Sequence, residues 1–350
     1  MTINTSIPVS GISYNKVGME LACKGNRLVV AAPAGSTVIA TKDGVTKTAV
    51  ENNDTWAFNG LEAGEWTVTA TNEGQVVSQI VTISPKTISI SFKPVVSITA
   101  TSGVTYTNGI SGIDANMVSG IAKAISDNAE ITNTTDAIYV DLGDIHRKIS
   151  IGDQVTIALN GTDYAFDIIG FNHDELTDET AYGESTVTSK AGITLHTHGM
   201  LSELYQMNTT NSTSGGWKNS LMRTSTMATV NGYLPSAWQS IIKPVNKASG
   251  KGGGSSSGTE TVSDSCFLLA EIEIFGSTSN SVSGEGSQYA YYKAGNSTIK
   301  NKPDGNPYAW WERSPSTKGS NYFCCVNGGD GSAYYRYPNS EFGVAFAFCV

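Results

Sequence analysis

The sequence predicts a mainly β protein in which a small β-sandwich precedes a larger α+β C-terminal domain. Charged residues make up only 15% of the chain while glycine alone contributes 37 positions, a balance that favours loop-rich β structure over a helical bundle. Short runs of alternating apolar residues, punctuated by turn dipeptides, fill residues 27–95. Beyond residue 138, strand-like and helix-like runs succeed one another. With 350 residues the chain exceeds the ~100–200 residues at which one core stops growing, so it divides into domains.

Residues 1–26 read as an arm too short to fold alone. In residues 27–95 the segments RLVVAA, STVIATK, TWAFNGL, GEWTVTATNEG, QVVSQIVTIS and TISISFK read as strands. Trp66, Val68 and Ala70 alternate with Thr67, Thr69 and Thr71, and Asp43-Gly44, Asn59-Gly60 and Glu73-Gly74 mark turns, the pattern of a small sandwich. Residues 96–137 read as a linker carrying one helix: Asp114 can cap it, it runs to about Asn128, and Met117, Ile121, Ala124 and Ile125 share a face. The domain at residues 138–350 opens with KISIGDQVTIAL and TDYAFDIIGFNHD, a hairpin around Asn160-Gly161. LSELYQMN and GGWKNSLMRTSTMATVNGYL read as helical, and Pro235 can open a third helix, PSAWQSIIK. SGKGGGSSSG is a flexible loop tip and CFLLAEIEIFG a central strand.

A formal net charge of -9, with His146-Arg147-Lys148 as the compact basic cluster, argues against a nucleic-acid partner. The opening MTINTSIPVSGISYN lacks the basic and apolar regions of a secretory signal. The best apolar run, Cys266 to Phe275, is broken by Glu271 and Glu273 and falls short of the ~20 residues of a span, so membrane insertion is not expected. Five irregularly spaced cysteines (Cys23, Cys266, Cys324, Cys325, Cys349) read as buried free thiols, since an odd, unpatterned set makes no disulfide framework.

His196 and His198 in LHTHGM would point to one face of a strand and could share a metal, but no third ligand accompanies them, and ordinary polar histidines are the expectation. The acidic stretch FNHDELTDE (His173, Asp174, Glu175, Asp178, Glu179) lacks the oxygen-ligand spacing of a calcium loop and reads as a solvated turn. No cofactor, metal or catalytic residue is expected, because no Ser/His/Asp order, phosphate loop or HExxH is present.

The chain's last stretch mixes two kinds of sequence. Trp310, Trp311, Phe323, Val326, Val344, Phe346 and Phe348 form an apolar frame around a run of Ser, Asn, Gly and Tyr that includes Tyr322, Tyr334, Tyr335 and Tyr337. Tyrosine covers large area with few rotatable bonds while Ser, Gly and Asn adapt to irregular partners, the composition of antibody binding loops. Such loops work when a rigid scaffold holds them.

Two resemblances sharpen these expectations. GLEAGEWTVTATNEG is similar to the strand entry of immunoglobulin-like and carboxypeptidase-regulatory-like modules, with Trp66 where tyrosine is usual; such modules serve as spacers or interaction platforms. GWKNSLMRT, LPSAWQSIIKPVNK, SDSCFLLAEIEIFG, QYAYY and WWERSPS…FCCVN…DGSAYY…GVAFAFCV together resemble the C-type-lectin-like domain of gut bacterial and prophage proteins, over roughly residues 140–350. Some members are the variable proteins of diversity-generating retroelements. In place of the family's terminal Gly-Val-Arg-Pro-Ala-Phe, Ala345 and Phe346 stand here for Arg and Pro.

That resemblance implies a ligand-binding variable face made of Ser320, Asn321, Tyr322, Cys324, Asn327, Tyr334, Tyr335, Tyr337, Asn339 and Ser340. Asparagine codons mutated at their adenines never yield Lys, Glu, Gln, Met or Trp, and none of these occurs from Ser320 to Ser340. It further implies a phage receptor-binding protein in a virion tail fibre, a homotrimer attached to other tail proteins through its N-terminal arm, with a bacterial cell-surface protein or glycan as partner. A bacterial surface adhesin of the same architecture is the alternative. The carboxylate-Pro-amide triplets of calcium-dependent sugar binding are missing. An enzyme of the formylglycine-generating type, which shares the broad fold and uses two cysteines, is the third reading, although Cys324 and Cys325, adjacent on a strand, would point to opposite faces.

Overall fold

The computed structural model describes residues 20–24, 27–32, 34–52, 55–59, 61–62, 64–83, 94–142, 145–254 and 258–350. The chain is mainly β, and it divides into two compact units, residues 1–91 and 92–350.

In the first unit, β1 (Glu20–Lys24), β2 (Arg27–Ala31), β3 (Thr37–Lys42), β4 (Val45–Thr48), β5 (Val50–Asn52), β6 (Thr55–Phe58), β7 (Gly64–Asn72) and β8 (Gln75–Ile83) follow one another. They form two four-stranded sheets, ordered β1-β2-β6-β5 and β4-β3-β7-β8. One core joins them: Leu28, Val30, Trp56 and Phe58 from the first sheet meet Val38, Ala40, Trp66, Val68 and Ala70 from the second. The expected alternation in β7 holds, each inward side chain of that size contributing ~1.5–3 kcal/mol by leaving water. Asp43-Gly44 (φ 48° and 79°) and Glu73-Gly74 (φ 47° and 79°) are two-residue turns with both φ positive, which match the twist of the strands they join. β4 and β5 were not apparent from the sequence, being short and mostly polar. TISISFK, Gly60 and the first 19 residues of the arm lie outside the described residues.

The second unit begins with β9 (Val95–Ser97), β10 (Thr107–Asn108), α1 (Ala115–Ser126), β11 (Ala137–Leu142) and β12 (Ile145–Ser150), the strands ordered β10-β12-β11-β9. Residues 96–137 are therefore not a linker. The α1 side chains Val118, Ile121, Ala122 and Ile125 belong to the same core as Phe166 and Phe348. Asp114 does cap α1, its carboxylate accepting from the Met117 amide at 3.0 Å, but the buried face is turned from the expected one and leaves Met117 exposed.

Next come β13 (Gln154–Leu159), β14 (Thr162–Phe171) and β15 (Ile193–Thr197). The β13–β14 hairpin turns at Asn160-Gly161, both with positive φ, as the sequence predicts. After it, α2 (Gly216–Asn219), a π-helical turn (Met222–Thr226) and α3 (Met227–Tyr233) cover the predicted GGWKNSLMRTSTMATVNGYL helix, and α4 (Ser236–Gln239) starts just after Pro235. LSELYQMN is not helical. Its backbone pairs instead with the end of the chain, Leu201 N donating to Val344 O and Tyr205 exchanging both bonds with Phe342.

β16 (Val245–Gly250) and β17 (Thr259–Asp264) form a hairpin, followed by β18 (Cys266–Phe267), α5 (Glu271–Phe275), α6 (Ala290–Lys293), β19 (Lys300–Asn301) and β20 (Pro307–Tyr308). CFLLAEIEIFG is thus a strand only at its start. Glu273 reaches back to the Ala270 amide at 3.0 Å and opens a helix there. Last are β21 (Trp310–Pro315), β22 (Phe323–Val326), β23 (Ala333–Arg336) and β24 (Ala347–Cys349). The central sheet runs β13-β14-β15-β24-β18, and β21-β22-β23 forms a separate three-stranded sheet. Gly343 lets that segment pass close to Met200, whose sulfur would lie 1.9 Å from an added Cβ. No helix among the described residues is long and apolar enough to cross a membrane.

Candidate functional site

β21 and β22 are buried along their whole lengths, Trp310, Trp311, Phe323 and Val326 being inaccessible. β23 pairs with β22 and is half open to solvent. The apolar frame read from the sequence therefore holds a strand of AYYR and the residues flanking it.

On this support the aromatic rings touch one another. The Tyr322 and Tyr337 hydroxyls are 3.2 Å apart, with their ring centroids at 4.8 Å. Tyr335 meets Tyr322 edge-on at 5.0 Å and stacks on Tyr334 at 5.3 Å. The bond to Tyr337 raises the Tyr322 hydroxyl above its ordinary pKa. Tyr334 and Tyr337 are exposed, at 40% and 42%.

Three residues the sequence reading missed extend the face. Arg336 lies 4.0 Å over the Tyr334 ring and 5.9 Å from that of Phe342. Phe342 meets Trp311 edge-on at 5.0 Å, anchoring the surface to the core, and Tyr308 lies 5.9 Å from Phe342. The available signal was alternation, since Arg336 stands two residues from Tyr334 in a strand and so shares its side of the sheet.

The other expected face residues divide. Ser320 and Asn339 are exposed, and Asn321 and Ser340 partly so; the Ser320 carbonyl is held by Thr213 and that of Asn339 by Gln206. Asn327 turns its carboxamide oxygen onto the Gly329 amide at 3.1 Å and so shapes the turn before β23. Cys324 must be removed from the face. It is fully buried, paired across the ladder with Tyr335, because its strand is covered on both sides. Cys325 is buried as well. Burial, and then nearby Glu312, push both thiols up in pKa, which works against a thiolate nucleophile at this pair.

Charged groups lie inside the same unit. Lys247 Nζ sits 2.7 Å from Asp174 Oδ1 and 2.7 Å from Glu273 Oε1, while Arg313 binds Glu273 through two guanidinium nitrogens. The acidic stretch is thus only partly solvated. Asp178 and Glu179 are exposed, but Asp174 is 4% exposed because Lys247, Tyr289 and Thr194 satisfy it inside. Burial opposes ionisation of Asp174 and Glu273, yet Lys247 beside Asp174, and Arg313 then Lys247 beside Glu273, outweigh it and hold both carboxyls below the usual range. Glu312 is the opposite case. Both its oxygens are buried without a hydrogen-bond partner, and burial, with Glu271 and Glu285 nearby, raises its pKa well above the ordinary value.

His196 and His198 take different partners. His196 is inaccessible and contacts the Ala345 carbonyl and the Tyr292 hydroxyl; burial, then Lys300, lower its pKa. His198 is paired with Asp167 at 2.9 Å. Among the described residues no group of three or more His, Cys, Asp or Glu side chains could hold a metal ion.

The site these contacts define is a polar-aromatic surface patch carried on buried strands. Residues 183–350, which include all of it, match the family described as Domain of unknown function (DUF6273). No curated protein and no solved structure matches the chain.

Proposed function

We propose that the second unit is a ligand-display domain of C-type-lectin-like type and that the chain is a phage receptor-binding protein carrying it behind an immunoglobulin-like spacer. The observation that carries this reading is the contiguous array Tyr337–Tyr322–Tyr335–Tyr334–Arg336–Phe342, placed at the surface by strands whose own side chains are fully buried. Tyrosine and arginine are the residues that dominate binding energy at protein interfaces, and a rigid base lowers the entropy lost on binding. In this reading the partner is a bacterial cell-surface protein or glycan, the variable positions lie between Ser320 and Ser340, the location is a virion tail fibre, and a homotrimer multiplies weak contacts by avidity. The protein is read as a binder without catalytic function.

Binding of the purified chain to panels of whole bacterial cells tests this. The expected result is saturable binding to a subset of strains that Tyr334→Ala and Tyr337→Ala weaken without lowering the melting temperature. Binding unchanged in both variants would remove the face from the reading. Tail genes and a reverse transcriptase with a near-copy repeat beside the gene support the phage origin; their replacement by secretion genes supports an adhesin.

A further inference from the structure

The second unit also carries a concave site. A cavity of about 250 Å³ opens where three segments meet: the β13–β14 hairpin brings Asn160, Thr162 and Tyr164, the stretch after β15 brings Glu203 and Tyr205, and α3 ends there at Tyr233. The hairpin is fixed to the helix end by the Asn160 amide, which donates to the Tyr233 carbonyl at 2.8 Å. Tyr205 is fixed by its paired backbone bonds to Phe342 and by the Trp311 indole, which donates to its carbonyl at 2.7 Å. The walls are therefore set by the fold before any ligand arrives.

The chemistry of the lining is one-sided. Three tyrosines and a single carboxylate, Glu203, line the cavity, and none of the described lining residues is cationic. Burial first, then the side-chain bond to Tyr233 and the proximity of Glu203, push the Tyr205 hydroxyl up to about 12, so this phenol remains neutral across the physiological range. The helical run ending at Tyr233 adds the partial negative charge of a helix C-terminus. An anion finds nothing here to pair with. A cation finds aromatic quadrupoles and a carboxylate together, the combination that recognises alkylated ammonium groups. The volume is below the ~300–1,000 Å³ of pockets for drug-sized ligands, which matches one head group rather than an extended ligand.

We propose that this cavity, lined by Tyr164, Tyr205, Tyr233 and Glu203, binds a single alkylated ammonium group such as a choline head or a methylated lysine side chain. The cavity has no lining residue in common with the Tyr322–Tyr337 cluster, and the proposal stands whether or not that cluster binds cells.

Calorimetric titration of the full chain with choline, with its neutral isostere 3,3-dimethyl-1-butanol, with Nε-trimethyl-lysine and with N-acetylglucosamine tests it. Choline is expected to bind saturably, with the isostere at least about tenfold weaker because it lacks the charge. Glu203 is exposed, so Glu203→Gln keeps the fold and should weaken choline at least about threefold. Tyr233→Ala, checked by its melt, should weaken it about tenfold, whereas Tyr337→Ala should leave it unchanged. Tighter binding of trimethyl-lysine than of choline assigns the ligand to a modified protein, and the reverse order to a choline-bearing surface polymer. Equal binding of choline and its isostere, a preference for the sugar, or no saturable binding of either ammonium by a natively melting protein would overturn the proposal.

Discussion

Arg313 and Glu273 meet through the two terminal guanidinium nitrogens and both carboxylate oxygens, and Lys247 donates to the same carboxylate. All three are buried, so each depends on the others for compensation. Lys247→Met should therefore destabilise the second unit by ~3–5 kcal/mol, the effect of leaving buried charges unpaired. Chemical denaturation of the two proteins measures it. A loss under about 1 kcal/mol would mean that Asp174 and Glu273 do not rely on Lys247.

Acid should weaken the fold through these carboxylates. Asp174 and Glu273 have folded pKa values below their unfolded ones, so their contribution is present above the ordinary carboxylate range and disappears as pH falls through the folded values. Glu312 has the opposite sign. Its folded state keeps a proton that the unfolded chain has released, so stability declines as pH rises from about 4.3 toward its raised folded value, by up to about 1.4 kcal/mol per pH unit. Glu312→Gln mimics the protonated acid. Its melting temperature should match the wild type near pH 4 and exceed it at pH 7; a lower value at pH 7 would show that the carboxylate is needed.

Display and support should separate under mutation. Tyr334→Ala and Tyr337→Ala alter exposed side chains and should change folding stability by no more than ~0.5 kcal/mol. If the patch binds bacterial cells as proposed, at least one should cost ~2 kcal/mol of that binding. Trp311→Ala removes an inaccessible indole and its bond to Tyr205, and should cost ~3–5 kcal/mol of stability. If the tyrosine variants melt early and Trp311→Ala does not, the roles are reversed.

The described cysteines should be chemically silent in the native protein. Cys266, Cys324, Cys325 and Cys349 are free and buried, and burial, then Asp264, raise the Cys266 thiol to about 12. Iodoacetamide at pH 8 should label none of these four until denaturant is added, as read by peptide mass. Rapid native labelling of Cys324 would return it to the surface.

Local rules carried the sequence reading as far as they apply. Asp43-Gly44, Glu73-Gly74 and Asn160-Gly161 each encode their own turn, and Asp114 encodes its own cap. Where partners lie far along the chain, the reading went astray. Glu271 looked like a charge breaking an apolar run, but Asn280 and Ser281 satisfy it inside the fold. Asp174 looked solvated, but its cation is 73 residues away. LSELYQMN has helical residues, yet pairing with residues 342–344 decides its conformation. The tyrosines were legible because composition announces them, whereas Arg336 and Phe342 join them only through the geometry of the sheet.

The place of β24 ties synthesis of the chain to the soundness of the fold. Phe348 pairs with Leu195 on one side and Cys266 on the other, so β24 enters the sheet between two strands that lie far earlier in the sequence. Contacts of such sequence separation form slowly. Until residues 347–349 leave the ribosome, β15 and β18 each keep an unpaired edge, the condition that invites aggregation and proteolysis. A stop codon or frameshift anywhere between residues 320 and 340 would delete β24 as well, while a missense change on the exposed face would spare it. Truncated products would leave those edges open and be prone to aggregation and proteolysis, whereas substitutions on the exposed face leave β24 and its pairing in place.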